Sequence, residues 1–162
     1  MGHEMGKRNE GIKVIARNRR ARYEYEIEDT FEAGLVLQGT EVKSLRQGNC
    51  DISQAFARPR GDEIYLVDMH IAPYEQGNIS NHEPKRRRKL LLHRREIDRL
   101  ISRCTQRGYT IIPLRVYFRG GFAKAEIGLA RHKKQWDKRR RKEERQRRED
   151  AERALGRRQR RR

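Results

Sequence analysis

Almost nothing apolar follows Trp136: only Ala151, Ala154 and Leu155 remain there, so whatever core this chain builds must come from the residues before its last fifth. Residues 131–162 carry 17 basic and 6 acidic side chains, against 24 and 17 in residues 1–130, within a chain of 162 residues and formal net charge +18. With 34% hydrophobic and 40% charged residues, the length suits one folded domain and a polar extension, not a two-domain enzyme. A field of this sign and density attracts polyanions, and nucleic acid is the fitting partner, because Lys and Arg release counterions as they neutralise phosphates. An anionic membrane fits less well, since an interfacial helix needs the apolar face that residues 131–162 lack. There is no run near the roughly 18 apolar residues that span a bilayer, and Met1–Gly6 has no apolar signal core, which reads as a soluble cytoplasmic protein without a membrane partner. Cys50 and Cys104 stand in no metal-ligand spacing, so we expect reduced thiols, with Cys104 in the core.

Residues 1–11 read as a mobile terminus, and order is expected from Ile12. Tyr23, Tyr25 and Ile27 alternate with charges as in a half-buried strand over 22–28, and a second extended run covers 31–37, with Gly34 as a bulge or close approach. Thr40 is placed to cap a short helix through Gln47, with Val42 and Leu45 inward and Gly48 as its stop. Strands over 52–58 and 63–71 flank a turn at 58–62 and should pair as a hairpin. The polar segment 73–84 reads as a functional loop, followed by a strand at 89–92. Ile97, Leu100, Ile101 and Cys104 have helical spacing in a helix over 94–107 that stops at Gly108. Strands over 110–119 and 122–129 flank Gly120-Gly121; in the first, Ile112, Leu114, Val116 and Phe118 alternate with Pro113, Arg115, Tyr117 and Arg119. The reading is a mainly β fold: a small antiparallel β-barrel of about six strands, oligonucleotide-binding-like, over residues 12–130, with two or three short helices and a basic tail over 131–162. The tail should be disordered alone and helical when bound to a polyanionic surface.

The residues for catalysis do not converge. His3, His70, His82, His93 and His132 share no ligand spacing, there is no phosphate loop or nucleophile elbow, and Glu63 and Asp68 read as solvated carboxylates before they read as a nuclease pair. No enzyme activity, cofactor or metal is expected. Three basic clusters remain: Asn18–Arg22, Lys85–Lys89 and the tail. Any one of them alone is ordinarily a solvated surface. Together on a small barrel, with Tyr23, Tyr25, Tyr74, Tyr117 and Trp136 to stack on bases, they point to RNA. A ribosomal or general RNA-chaperone protein shares these features.

Several local sequences are more specific. Asn18-Arg19-Arg20-Ala21-Arg22-Tyr23-Glu24-Tyr25, Phe31-Glu32-Ala33-Gly34-Leu35, Gly39-Thr40-Glu41-Val42-Lys43-Ser44-Leu45-Arg46, Arg88-Lys89-Leu90-Leu91-Leu92 and Lys133-Lys134-Gln135-Trp136-Asp137-Lys138-Arg139, in this order between residues 12 and 142, resemble the SsrA-binding protein family, small protein B. The resemblance implies a non-catalytic trans-translation factor, monomeric when free. Its barrel would bind the tRNA-like domain of transfer-messenger RNA (tmRNA), and its tail would enter the empty mRNA channel of a stalled ribosome, against the rRNA of the channel and decoding site.

The RNA-facing set that follows is Asn18, Arg19, Arg20, Arg22, Tyr23, Glu32, Lys43, Arg46, Arg88, Lys89 and Leu91, and the ribosome-facing set is Lys133, Lys134, Trp136, Asp137, Lys138 and Arg139. Each has a plainer alternative. Asn18 is also an ordinary turn residue; Glu32 repels phosphate, so it would accept from a base amino group or orient a neighbouring Arg; Leu91 would be core or a packed surface patch. His132 stands where family members commonly have Gly, and Trp136 where they often have His or Tyr, so hinge and stacking partner differ in detail.

Overall fold

The computed structural model describes residues 11–76, 81–133 and 135–160, so all but the last residue of the expected mobile terminus lies outside the described residues. Its strands are β1 (Ile12–Arg17), β2 (Tyr25–Leu35), β3 (Cys50–Asp51), β4 (Phe56–Arg60), β5 (Glu63–Val67), β6 (His70–Ile71), β7 (Arg88–Leu91), β8 (Tyr109–Arg119) and β9 (Phe122–His132). The helices are α1 (Ala21–Glu24), α2 (Gly39–Arg46), α3 (Arg94–Cys104) and α4 (Gln135–Arg160).

Hydrogen bonding runs β8–β4–β5–β7–β2–β9 and returns to β8, a closed ring of six strands to which β1 adds on β8. Closure removes the unpaired edges that an open sheet of these short strands would expose. The five pairings around this ring with a defined register are antiparallel, so directions alternate and β2 must also run opposite to β9. The core fills the ring with Ala33, Leu35, Ile64, Leu66, Leu90, Ile111, Val116, Ile127 and Leu129, while Leu45 of α2 and Ile97 and Leu100 of α3 pack into it. Each fully buried Leu or Ile contributes about 1.5–3 kcal/mol, which is what seats two helices that are otherwise charged. Residues 132–162 form a separate unit, described by itself as the 26-residue α4.

The structure corrects several sequence expectations. The run 22–28 does not begin as a strand: residues 21–24 make the helical turn α1, and the two expected extended runs merge into the single strand β2. β1 was not foreseen as a strand. In α2, Gln38 occupies the cap position and its N–H donates to Glu41 Oε1 at 2.8 Å, whereas the Thr40 hydroxyl pairs with His82 Nδ1 at 2.9 Å. The expected hairpin of 52–58 and 63–71 is tightened to β4 and β5, because Asp68 takes a left-handed φ of 59° and turns the chain out; its last residues, β6, pair instead with β3, which precedes the expected hairpin. In β8 the alternation changes phase at a bulge between Pro113 and Arg115. Ile111, Val116 and Phe118 therefore join the main core, while Ile112 and Leu114 join Ala21, Ala130, Tyr25 and Ile27 in a small outer cluster beneath α1. Pro113 is tolerated because the strand changes partner around it: β1 pairs with 115–119 and β4 at Ile111.

Candidate nucleic-acid interface

The outer face of β8, β9, β2 and β7 gathers much of the expected RNA-facing set. The turn after β1 is fixed by Asn18, whose N–H donates to Leu114 O at 2.8 Å and whose Nδ2 donates to Pro113 O at 3.2 Å. Asn18 thus spends its amide donor on the β8 bulge and holds Arg19, Arg20 and Arg22 on the exposed side. Arg19 and Arg22 line a groove with Arg115 and Glu126, and those two residues also line a second groove with Glu32 and Arg119, so the turn and Glu32 share one continuous surface. Tyr23 is 45% exposed on the same turn.

Glu32 is held by two neighbours from β8. Its Oε2 accepts from the Tyr117 hydroxyl and lies 3.1 Å from Arg119 Nη2. Tyr117 is 1% exposed, covered by the guanidinium groups of Arg115 and Arg119 at 4.8 and 5.9 Å from its ring centre, so it does not stack on a base. Burial first, and then the hydrogen bond to Glu32, push the Tyr117 hydroxyl far above its ordinary range, which keeps it a protonated donor. Leu91 is not core: it is 53% exposed and packs over Gly34, which faces it across the β2–β7 ladder. A Cβ at Gly34 would meet Leu91 Cβ at 3.2 Å, the close approach expected of that glycine. Gly34 is two residues from Glu32 on the same face of β2, so Leu91 belongs to this surface. Lys89 is half-exposed on β7, 3.6 Å from Glu63.

Three members of the set lie elsewhere. Lys43 on α2 places its Nζ 5.5 Å from the Tyr74 ring, and Arg46 lies over Phe118 at 5.9 Å. Arg88 is a correction: it is 0% exposed, donates to Glu41 Oε2, to Met69 O at 2.5 Å and to Pro84 O at 3.1 Å, and has no access to a ligand. Burial alone would raise the Glu41 carboxyl, but hydrogen bonds from Arg86, the Gln38 N–H and Arg88 hold it below its ordinary range. The same loop is tied down by His82, whose Nε2 meets Ile71 O at 2.9 Å, and by Asn81, which both accepts from and donates to the Tyr74 backbone. In the tail, Lys133 is half-buried and Arg139 exposed, while Lys134 and the side chains of Trp136, Asp137 and Lys138 lie outside the described residues.

Arg115, Arg119 and Glu126 were not among the residues chosen from sequence. The signal for the two arginines was the outward phase of β8, which the bulge then shifts so that Leu114 and Arg115 both leave the main core; Glu126 is the β9 residue paired with Arg115. Among the described residues no group of three metal-ligating side chains occurs, and no helix is long and apolar enough to cross a membrane.

A closed antiparallel ring with arginines on its outer face, together with an Arg-rich helix, defines a polyanion-binding β-barrel protein. Comparison with known proteins gives the family. The model of the SmpB protein family matches residues 15–157, and the chain belongs to that family. It is 57% identical over 127 residues to the SsrA-binding protein of Geobacillus thermodenitrificans, covering 78% of this chain and 82% of that one. It is 54% identical over 143 residues to the SsrA-binding protein of Halalkalibacterium halodurans, covering 88% and 93%. It is 58% identical over 132 residues to that of Salinispora tropica, covering 82% and 83%. A chain from a solved structure described as "tmRNA-SmpB: a journey to the center of the bacterial ribosome" superimposes with a TM-score of 0.63 at 52% identity, covering 74% of this chain and 85% of that one.

Proposed function

We propose that this chain is a tmRNA-binding protein that delivers tmRNA to stalled ribosomes in trans-translation. The observation that carries the reading is membership of the SmpB family across residues 15–157, together with 52% identity to a chain solved in a tmRNA-SmpB ribosome study. The barrel contributes the RNA surface, from the 18–22 turn across Glu32 to Leu91, and recognises the tRNA-like domain of the RNA. The segment 132–162 serves the ribosome, with Lys133, Lys134, Trp136, Asp137, Lys138 and Arg139 along the mRNA channel. The protein acts by binding, without a catalytic step, in the cytoplasm where ribosomes work.

The test compares the full chain with a version ending at His132, where β9 ends, since ending at Ala130 would remove Arg131 and its pairing with Tyr109. Both should bind tmRNA in excess bulk tRNA, and only the full chain should support peptide tagging on stalled ribosomes. Loss of specific binding by the shortened protein, with bulk tRNA competing against the full chain, would make it a general RNA-binding protein instead.

A further inference from the structure

We propose that Glu32 and Arg115 read the edge of a nucleotide base, a task chemically distinct from phosphate binding by Arg19, Arg20 and Arg22; this rests on the RNA-binding reading above. The two residues line one groove on the outer face, with Arg119, Tyr117 and Glu126 around them. Arg115 directs Nε and Nη2 to Glu126 Oε2 at 3.2 and 3.1 Å, and its guanidinium lies 4.8 Å from the Tyr117 ring centre. On Glu32, Tyr117 and Arg119 both engage Oε2. The groove therefore presents Arg115 Nη1 as a donor and Glu32 Oε1 as an acceptor, each on a side chain already locked by its other atoms.

Charge decides between phosphate and base. Two carboxylates balance two guanidinium groups in this cluster, so it neutralises no net phosphate charge and releases few counterions. A phosphate offers acceptors only and would be repelled by Glu32. A base edge with a donor beside an acceptor, such as the N6 amino group and N7 of adenine, satisfies both groups, and unpaired bases in RNA loops present such edges. Because the side chains are ordered before binding, little rotamer entropy is lost on contact. Arg119 and Tyr117 are then positioning residues for Glu32, and Glu126 is one for Arg115.

The experiment is equilibrium binding of the full chain to the tRNA-like domain of tmRNA across a salt series, with excess bulk tRNA. Arg115→Ala should weaken specific binding at least about tenfold with an unchanged salt slope, and Arg115→Lys should not restore it, since an ammonium lacks the fork that holds Glu126 and the ring together. Changing Arg19, Arg20 and Arg22 together to Ala should instead reduce the slope by about 2 to 3, at 0.7–0.9 per phosphate. Tyr117→Phe should weaken binding in the wild-type background and cost nothing further in Glu32→Gln, whereas a general packing defect would add. Wild-type affinity in Arg115→Ala, or a slope lowered by about 0.7–0.9 and restored by Lys, overturns the base-edge assignment. A wild-type protein that bulk tRNA displaces overturns the RNA-binding reading and this one with it.

Discussion

A carboxylate buried between two guanidinium groups holds only while both sides stay charged. Glu41 is 0% exposed between Arg86, whose Nη2 lies 2.6 Å away, and the equally buried Arg88, and it joins α2 to β7 and the loop before β7. Glu41→Gln leaves the Arg88 charge buried without its counter-ion, and removing one partner of such a pair costs about 3–5 kcal/mol. A thermal melt should show this as the largest loss among single polar changes in the domain. Because the folded-state pKa of Glu41 lies below its ordinary value, the pair's stability is complete above about pH 4.3 and is lost as pH falls through the depressed value. Wild type should therefore lose melting temperature on acidification through that window, and Glu41→Gln should lose less over the same range; equal acid sensitivity in the two proteins would show that other carboxylates set it.

At the scale of the element, the β2–β7 contact is set by a glycine that faces a leucine. Gly34→Val would drive Cβ and its methyls into Leu91, already 3.2 Å from the Cβ position, and overpacking of this kind costs about 1–3 kcal/mol. Leu91→Ala removes a side chain that is 53% exposed and should change stability by less than about 1 kcal/mol, so a loss of RNA affinity in that variant would report contact and not unfolding; a melt and a binding curve on the same sample separate the two. The elements whose pattern depends on local spacing were legible in sequence: α3 from Ile97 and Leu100, the β8–β9 hairpin from Gly120-Gly121, and the closed ring from the number and antiparallel order of strands. What escaped depends on tertiary partners. The β8 bulge has no mark in sequence beyond Pro113, and it reverses the face of every residue on one side of it. Arg88 looked like one more member of a basic run, and only the approach of Glu41 from 47 residues away makes it interior. Glu32 was legible as a candidate from its local sequence motif, while Tyr117 and Arg119, which hold it, come from a strand more than 80 positions later.

For the molecule as a whole, charge is concentrated in the part that has no core, and this governs what the tail does by itself. Among the described residues of α4 the i,i+4 ion pairs are Arg140–Glu144 and Arg145–Glu149, each with the base N-terminal to the acid, the weaker orientation against the helix dipole, and Gln146 Nε2 donates to Asp150 Oδ1 at 3.1 Å. Gly156 lies within the helix and costs about 1 kcal/mol relative to Ala, and like charges recur at the same spacing, as at Arg141 and Arg145 or Arg153 and Arg157. No apolar stripe is present to add tertiary packing, the usual source of helix stability in proteins. The helix is thus near balance, and a polyanion shifts that balance by removing repulsion among the 17 basic residues of 131–162. Circular dichroism of a peptide spanning 131–162 should show mostly coil in dilute buffer and a growing helical signal as RNA is titrated in, with the gain reversed by salt as counterions return to the phosphates. A peptide already helical without RNA would mean that local propensity suffices, and the tail would then meet its partner as a preformed rod about 39 Å long at 1.5 Å per residue instead of ordering upon it.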